Sequence, residues 1–232
     1  MEKTAQQAAA EFIATFTLIF IGAGASIMAN SGNTDLVGVA LAHGLALAIM
    51  VTVVGVISGG HVNPAVTASL WVTGKIETVR AVIYVAAQLL GAVVGALVLR
   101  LVVPTSMWQG ANLGTPAPGP GVGNGAALIV EAVLTFFLVF TVFGVAVDER
   151  GAFSKLAGFP IGLVLTMDIL MGGPLSGASM NPARWFGPAL VSGTWTSSWI
   201  YILGPLAGGI LGAATYWTLF LREPSDQSSD AQ

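Results

Sequence analysis

The sequence predicts an all-α membrane protein, with six transmembrane helices and two half-helices in an inverted 3+3 repeat. Three observations predict it. Hydrophobic residues make up 55% of the 232 residues and charged residues 8%, and the mean hydropathy is +0.83; a soluble domain carries about 25% charged residues. The charges fall in short breaks between apolar runs at 8–29, 36–58, 79–103, 125–147, 157–173 and 197–221, most of them near the ~20 residues that span a bilayer. Finally, Asn-Pro-Ala occurs twice, at Asn63-Pro64-Ala65 and Asn181-Pro182-Ala183, and each copy follows a stretch of small residues.

The elements follow in order. The first span holds Glu11 and Thr15, one helical turn apart, and the fourth opens with the matching pair Glu131 and Thr135. Residues 8–29 loosely resemble a signal peptide, but this counterpart in the second half makes them a span. In the third span Gly91 and Gly95 match Gly208 and Gly212 of the sixth, faces that let helices approach closely. The apolar pieces 63–72 and 181–191 reach only about 15 Å as helices, half the ~30 Å hydrocarbon layer. Asn caps each and Pro takes the first helical position, where its missing N–H costs nothing. Ser58 and Ser176, like Asn63 and Asn181, stand 118 positions apart. The chain therefore reads as one channel domain, 1–232. Residues 1–103 form the first repeat, 104–124 a Pro- and Gly-rich extracytoplasmic linker, 125–221 the second repeat, and 222–232 a disordered cytoplasmic tail.

Lys3, Lys75, Arg80, Arg150, Lys155 and Arg222 all fall on one side when six helices alternate, and the opposite connections hold no Lys or Arg. Both termini are thus expected in the cytoplasm. Three spans per half turn the two copies over relative to each other. The half-helix at Asn63 enters from the cytoplasm, the one at Asn181 from outside, and their N-termini meet near the midplane. Arg100, at the outer end of the third span, is expected to snorkel to the interface. A net charge of −3 without a basic run argues against nucleic-acid binding, and the absence of cysteine excludes disulfides, thiolate metal sites and a cysteine nucleophile. No metal or cofactor is expected.

Irregular backbone at membrane depth must line a cavity or be buried in protein. Gly59-Gly60 and Ser176-Gly177-Ala178 supply such backbone. It offers carbonyls to single-file solutes opposite apolar walls. At the centre, the side chains of Asn63 and Asn181 can donate to a passing oxygen. Two helix N-termini, each carrying about +0.5 charge, repel cations and protons there.

On both Asn-Pro-Ala motifs, Ser58-Gly59-Gly60-His61-Val62-Asn63, Asn181-Pro182-Ala183-Arg184 and the paired Glu11 and Glu131, the chain resembles an aquaporin of the major intrinsic protein family over essentially its whole length. The resemblance implies an aquaporin-like fold, a homotetramer with a pore in each protomer, and an outer selectivity filter at His43, Ile169, Ala178 and Arg184. Strict water channels of the family usually carry an aromatic residue and His at the first two of these positions. The set found here is similar instead to plant tonoplast intrinsic proteins. It implies a wider filter passing water with ammonia, hydrogen peroxide or urea, while Arg184 excludes cations. Glycerol facilitators of the family typically have Asp after the second motif's Arg and a Lys or Arg shortly beyond; Trp185 and Ala189 occupy those places here. The reading is a passive channel whose partners are water, small neutral solutes and the lipid bilayer, in the cell (plasma) membrane.

Glu11 and Glu131 are expected to accept hydrogen bonds from the loop before each half-helix. His61 either lines the cytoplasmic vestibule or braces its loop. Asp168 stands where the tonoplast-like pattern commonly has Asn. It either bonds neighbouring backbone or acts on the filter electrostatically. A coupled secondary transporter would place carboxylates at the half-helix break, where this chain has Asn. An intramembrane enzyme would need Glu131, Asp168 and His61 clustered, and they lie on separate segments.

Overall fold

A computed structural model describes residues 2–150 and 156–221; the tail expected at 222–232 lies outside them. Among the described residues every regular element is helical. In chain order these are α1 (Glu2–Asn30), α2 (Leu36–Ser58), α3 (Pro64–Val72), α4 (Thr78–Val102), α5 (Thr105–Gly110), α6 (Asn124–Val142), α7 (Gly158–Ser176), α8 (Pro182–Ser192) and α9 (Ile200–Tyr216). A π-helical turn extends α6 through Val147 and another extends α9 through Leu221. Six helices are long and apolar enough to cross a membrane, so the protein is an integral, multi-pass membrane protein. The short helices α3 and α8 begin at the two Asn-Pro pairs, as their caps dictate. One element was not expected: the linker 104–124 folds into α5 and a 3-10 turn, Asn112–Gly114.

Small residues set the packing. A side chain at Gly91 or Gly95 of α4 would run into the backbone of α1 at Phe12 and Phe16, and one at Gly208 or Gly212 of α9 into that of α6 at Ala132 and Phe136. The four glycines of the two sequence pairs thus do one job twice. The halves join where α2 crosses α7, with Gly44 against Gly162 and Gly158 against Ala48. Each half-helix leans on the opposite half, α3 on α9 and α8 on α4.

After α6 the chain is pinned to the end of α9. Asp148 accepts from Arg150 Nε and Nη2 at 2.9 and 2.7 Å and from Tyr216 Oη at 3.0 Å. The Arg150 side-chain bonds hold the Asp148 carboxyl well below the usual carboxylate range. Arg100, at the other face, donates to Val191 O and lies over the Trp108 ring.

Candidate functional site: the paired loops and the constriction

Each half-helix is preceded by a loop that a buried glutamate holds. Glu11 Oε1 accepts from Ser58 Oγ at 2.6 Å and His61 N–H at 2.9 Å, and Oε2 from Val62 N–H at 2.7 Å. Glu131 does the same for Ser176 Oγ (2.7 Å), Ser179 N–H (2.9 Å) and Met180 N–H (2.7 Å). Tyr84 and Tyr201 add matched bonds to Ser58 O and Ser176 O. The clamps hold unusual backbone. Val62 and Met180 have φ of +57° and +52°, a region bulky side chains avoid unless their surroundings over-determine it.

The two loops meet head to head. Asn63 Oδ1 caps α3 through Ala65 N–H, while its Nδ2 donates to Met180 O at 2.8 Å. Asn181 Oδ1 caps α8 through Ala183 and Arg184 N–H, while its Nδ2 donates to Val62 O at 3.0 Å. Each amide has two N–H groups. One therefore ties the opposite loop, and one remains for the cavity beside it.

That cavity, of about 400 Å³, runs from Lys75 and Glu149 past His61, Asn63 and Asn181 to His43 and Arg184. Loop backbone at Gly59 and Gly60 forms one side; Leu18, Leu47, Val51 and Leu165 form apolar wall. A second cavity, about 420 Å³, opens beyond, lined by Ile169 and the Pro116–Pro120 stretch. His43 and Arg184 line both, so they form the partition between them.

Arg184 Nε donates to His43 Nε2 at 3.0 Å, and Nη1 to Gly114 O at 2.8 Å. Since His43 Nε2 accepts, the ring proton sits on Nδ1, which donates to Val39 O at 2.9 Å. Of the four expected filter residues, His43 and Arg184 are joined directly; Ala178 borders the inner cavity and Ile169 the outer. His61 lines the inner cavity, and its Nδ1 lies 3.0 Å from Thr67 Oγ1 of α3. Trp185 lies away from both cavities, stacked on Tyr201 and edge-on to Trp195. Asp168 makes no hydrogen bond through Oδ2 among the described residues.

Four contributors escaped the sequence reading. The Gly114 carbonyl carries no side-chain signal. Gln88 Nε2 joins Glu11 Oε2 to Thr67 Oγ1, and nothing in the sequence of α4 marks it. Tyr84 and Tyr201 did leave a signal, since they recur at nearly the repeat spacing.

Fold and site together define a transmembrane channel, two half-helices meeting inside a six-helix inverted repeat. The chain matches the family model described as major intrinsic protein over residues 1–216. It is 45% identical over 223 residues to aquaporin TIP4-4 of Zea mays, covering 92% of this chain and 86% of that one. To aquaporin TIP1-2 of Zea mays it is 44% identical, covering 97% and 89%. The X-ray structure of the aquaglyceroporin from Plasmodium falciparum superposes with a TM-score of 0.84 at 24% identity, covering 94% of this chain and 97% of that one, a likeness of fold. The protein belongs to the major intrinsic protein family, and within it resembles the tonoplast-type aquaporins.

Proposed function

We propose that the protein is a passive channel for water and small neutral solutes, among them ammonia, hydrogen peroxide and urea, which excludes protons and ions. The observation that carries this reading is the head-to-head pair Asn63 and Asn181 on the inner cavity, with two helix N-termini converging there. A single-file oxygen finds donors at that point, while a cation meets two positive helix ends. His43, Ile169, Ala178 and Arg184 form the selectivity filter. The locked His43–Arg184 pair supports it: His43 has no N–H left for a solute, so Arg184 supplies the donors and the fixed charge. Glu11 and Glu131 brace the loops, Pro64, Ala65, Pro182 and Ala183 start the half-helices, and His61 lines the cytoplasmic vestibule.

The domain reading is a single channel of two repeats, 1–103 and 125–221, about the linker 104–124. The alternative of a glycerol facilitator is disfavoured by Trp185 and Ala189, both buried away from the cavities. Cytoplasmic termini, supported by the Lys and Arg distribution, a place in the cell membrane, and a homotetramer complete the proposal.

Stopped-flow light scattering on proteoliposomes tests it, with water, urea, ammonia and glycerol gradients in turn. Water flux well above protein-free liposomes, without proton current, is expected. Flux at the protein-free level would falsify the channel reading. The double variant His43→Phe, Ile169→His is expected to narrow passage toward water alone, and unchanged urea flux would refute the filter assignment.

A further inference from the structure

The bonds around His61 fix which of its ring nitrogens holds the proton. Gln88 Nε2 lies 2.8 Å from Glu11 Oε2 and 3.0 Å from Thr67 Oγ1. Glu11 Oε2 already accepts from Val62 N–H, so the amide turns its nitrogen there, and its second N–H goes to Thr67 Oγ1. The Thr67 hydroxyl has one proton and two lone pairs, with Asn63 O at 3.1 Å and His61 Nδ1 at 3.0 Å. Asn63 O can only accept, so the hydroxyl proton points to it; otherwise two oxygens would face each other at 3.1 Å with nothing between them. One lone pair of Thr67 Oγ1 takes the Gln88 N–H. The other is left for His61, so Nδ1 carries the ring proton and donates it to Thr67.

A neutral imidazole has one N–H, so Nε2 is a bare acceptor. It makes no hydrogen bond among the described residues, yet it is not sealed away as Gln88 Oε1 is. Its edge of the ring lies beside Gly59, where an added Cβ would stand 3.3 Å from Nε2. Gly59 and His61 both line the inner cavity, so Nε2 opens onto the path. Tyr84 stands edge-on to the ring, with centroids 5.0 Å apart. Thr67 is fully buried and borders neither cavity, so it reaches a solute only through His61. Asn63, Asn181 and Arg184 meet that solute as donors, and His61 Nε2 meets it as an acceptor.

We propose that His61 is a specificity-determining residue of the inner cavity, an acceptor that favours solutes rich in N–H such as ammonia, and that Thr67 is the positioning residue that fixes its tautomer. The proposal rests on the channel reading above. Water, with two protons and two lone pairs, meets a donor or an acceptor equally well. Ammonia has three protons and a single lone pair. Its lone pair serves the donors of Asn63, Asn181 and Arg184, and at Nε2 it can offer a proton. A protonated Nε2 would instead present one more donor to that single lone pair. Removing the Thr67 hydroxyl strands the Nδ1 proton without a buried partner, an arrangement that costs free energy. The ring then changes tautomer through cavity water: Nδ1 gives up one proton and Nε2 takes one.

The experiment pairs nitrogen-15 NMR of histidine-labelled protein in liposomes with ammonia and water flux, at pH about 8, above the ordinary imidazole range. The chain has two histidines, so His43→Phe leaves His61 alone and assigns its signals. In the wild type His61 is expected to show a protonated Nδ1 and a bare Nε2; a protonated Nε2 overturns the proposal. In Thr67→Val the proton is expected on Nε2, and the ammonia-to-water flux ratio should fall severalfold. A tautomer that does not change there, or a change that leaves the ratio as it was, overturns the proposal. Thr67→Ser restores the hydroxyl and is expected to restore both readouts, whereas a merely structural role would not link them; a Ser variant that behaves like Val overturns the assignment to Thr67. If Thr67→Val does not fold, His61→Phe removes the acceptor outright and should lower the ratio likewise, and an unchanged ratio is again fatal. Water flux at the protein-free level would instead sink the channel reading, and the NMR tautomer does not depend on it.

Discussion

The two halves solve the same problem with different materials. In both, a glutamate, a serine and a tyrosine hold a loop whose residue just before the capping Asn carries a positive φ. Around that common clamp they diverge. In the first half Glu11 Oε2 takes a further bond from Gln88 Nε2, which also reaches Thr67, and Thr67 links His61 to Asn63 O. In the second half the matching positions are Pro205 and Trp185. Neither can replace those bonds, and aromatic stacking of Trp185 on Tyr201 and Trp195 fills the space. The first loop is wired by a polar network, the second wedged by rings. The comparison teaches that the repeat preserves what shapes the backbone and leaves free what merely supports it. The divergence also frees α8 to carry Arg184 one residue before Trp185, beside the constriction.

The sharpest way to break this comparison is to convert each glutamate to glutamine. In Glu11→Gln either amide orientation aims N–H groups at two existing donors, because both oxygens already accept two bonds. In Glu131→Gln the amide can face Met180 N–H alone. With about 1–3 kcal/mol for each buried group left unsatisfied, Glu11→Gln should destabilise by about 3–5 kcal/mol and Glu131→Gln by about 1–3 kcal/mol. Thermal or denaturant unfolding in detergent, followed by tryptophan fluorescence, measures both. Equal losses would mean that Gln88 adds nothing to the first brace.

Smaller effects are expected one shell out. Tyr84→Phe and Tyr201→Phe each remove one bond to a buried loop carbonyl, so both should cost about 1 kcal/mol. This is the point at which the halves should agree. A twofold disparity in unfolding midpoint shift would show that aromatic wedging alters even the shared clamp. Gln88→Leu should cost about 1–2 kcal/mol, since Glu11 Oε2 keeps Val62 N–H and Thr67 keeps Asn63 O.

Much of this architecture was legible before any coordinates. The spans, the two half-helices, their head-to-head meeting and the paired glutamates all leave side-chain marks at fixed spacing: apolar runs near bilayer length, Asn-Pro starts, Glu and Thr one turn apart. The constriction was legible only in part. His43 and Arg184 lie far apart in sequence, and their direct bond exists because α2 and the α8 N-terminus converge. Their third partner is a backbone carbonyl at Gly114, inside a stretch whose Pro and Gly content reads only as linker. Any residue type exposes a carbonyl, so no pattern of side chains could have singled it out. Gln88 was hidden for a related reason. A lone amide on an apolar helix signals a buried bond, yet its partner Glu11 belongs to another helix, and no local spacing connects them.

The smallest expected effect concerns Trp185, and its sign is the informative part. Trp185 is 1% exposed, and its Nε1–H has no partner among the described residues. A buried donor left unpaired costs free energy that an apolar group of similar shape does not. Trp185→Phe removes that donor and keeps a ring against Tyr201. It also shrinks the side chain, which forfeits some packing. The two terms oppose each other, so the net change should lie within about 1 kcal/mol of zero. Trp185→Thr, which installs the first-half residue at the matching position, loses the ring without gaining Gln88's amide and should destabilise clearly more. The two variants, compared by unfolding midpoint, separate wedge from network. If Thr were tolerated as well as Phe, the rings would not be what supports the second loop, and the contrast between the halves would fall.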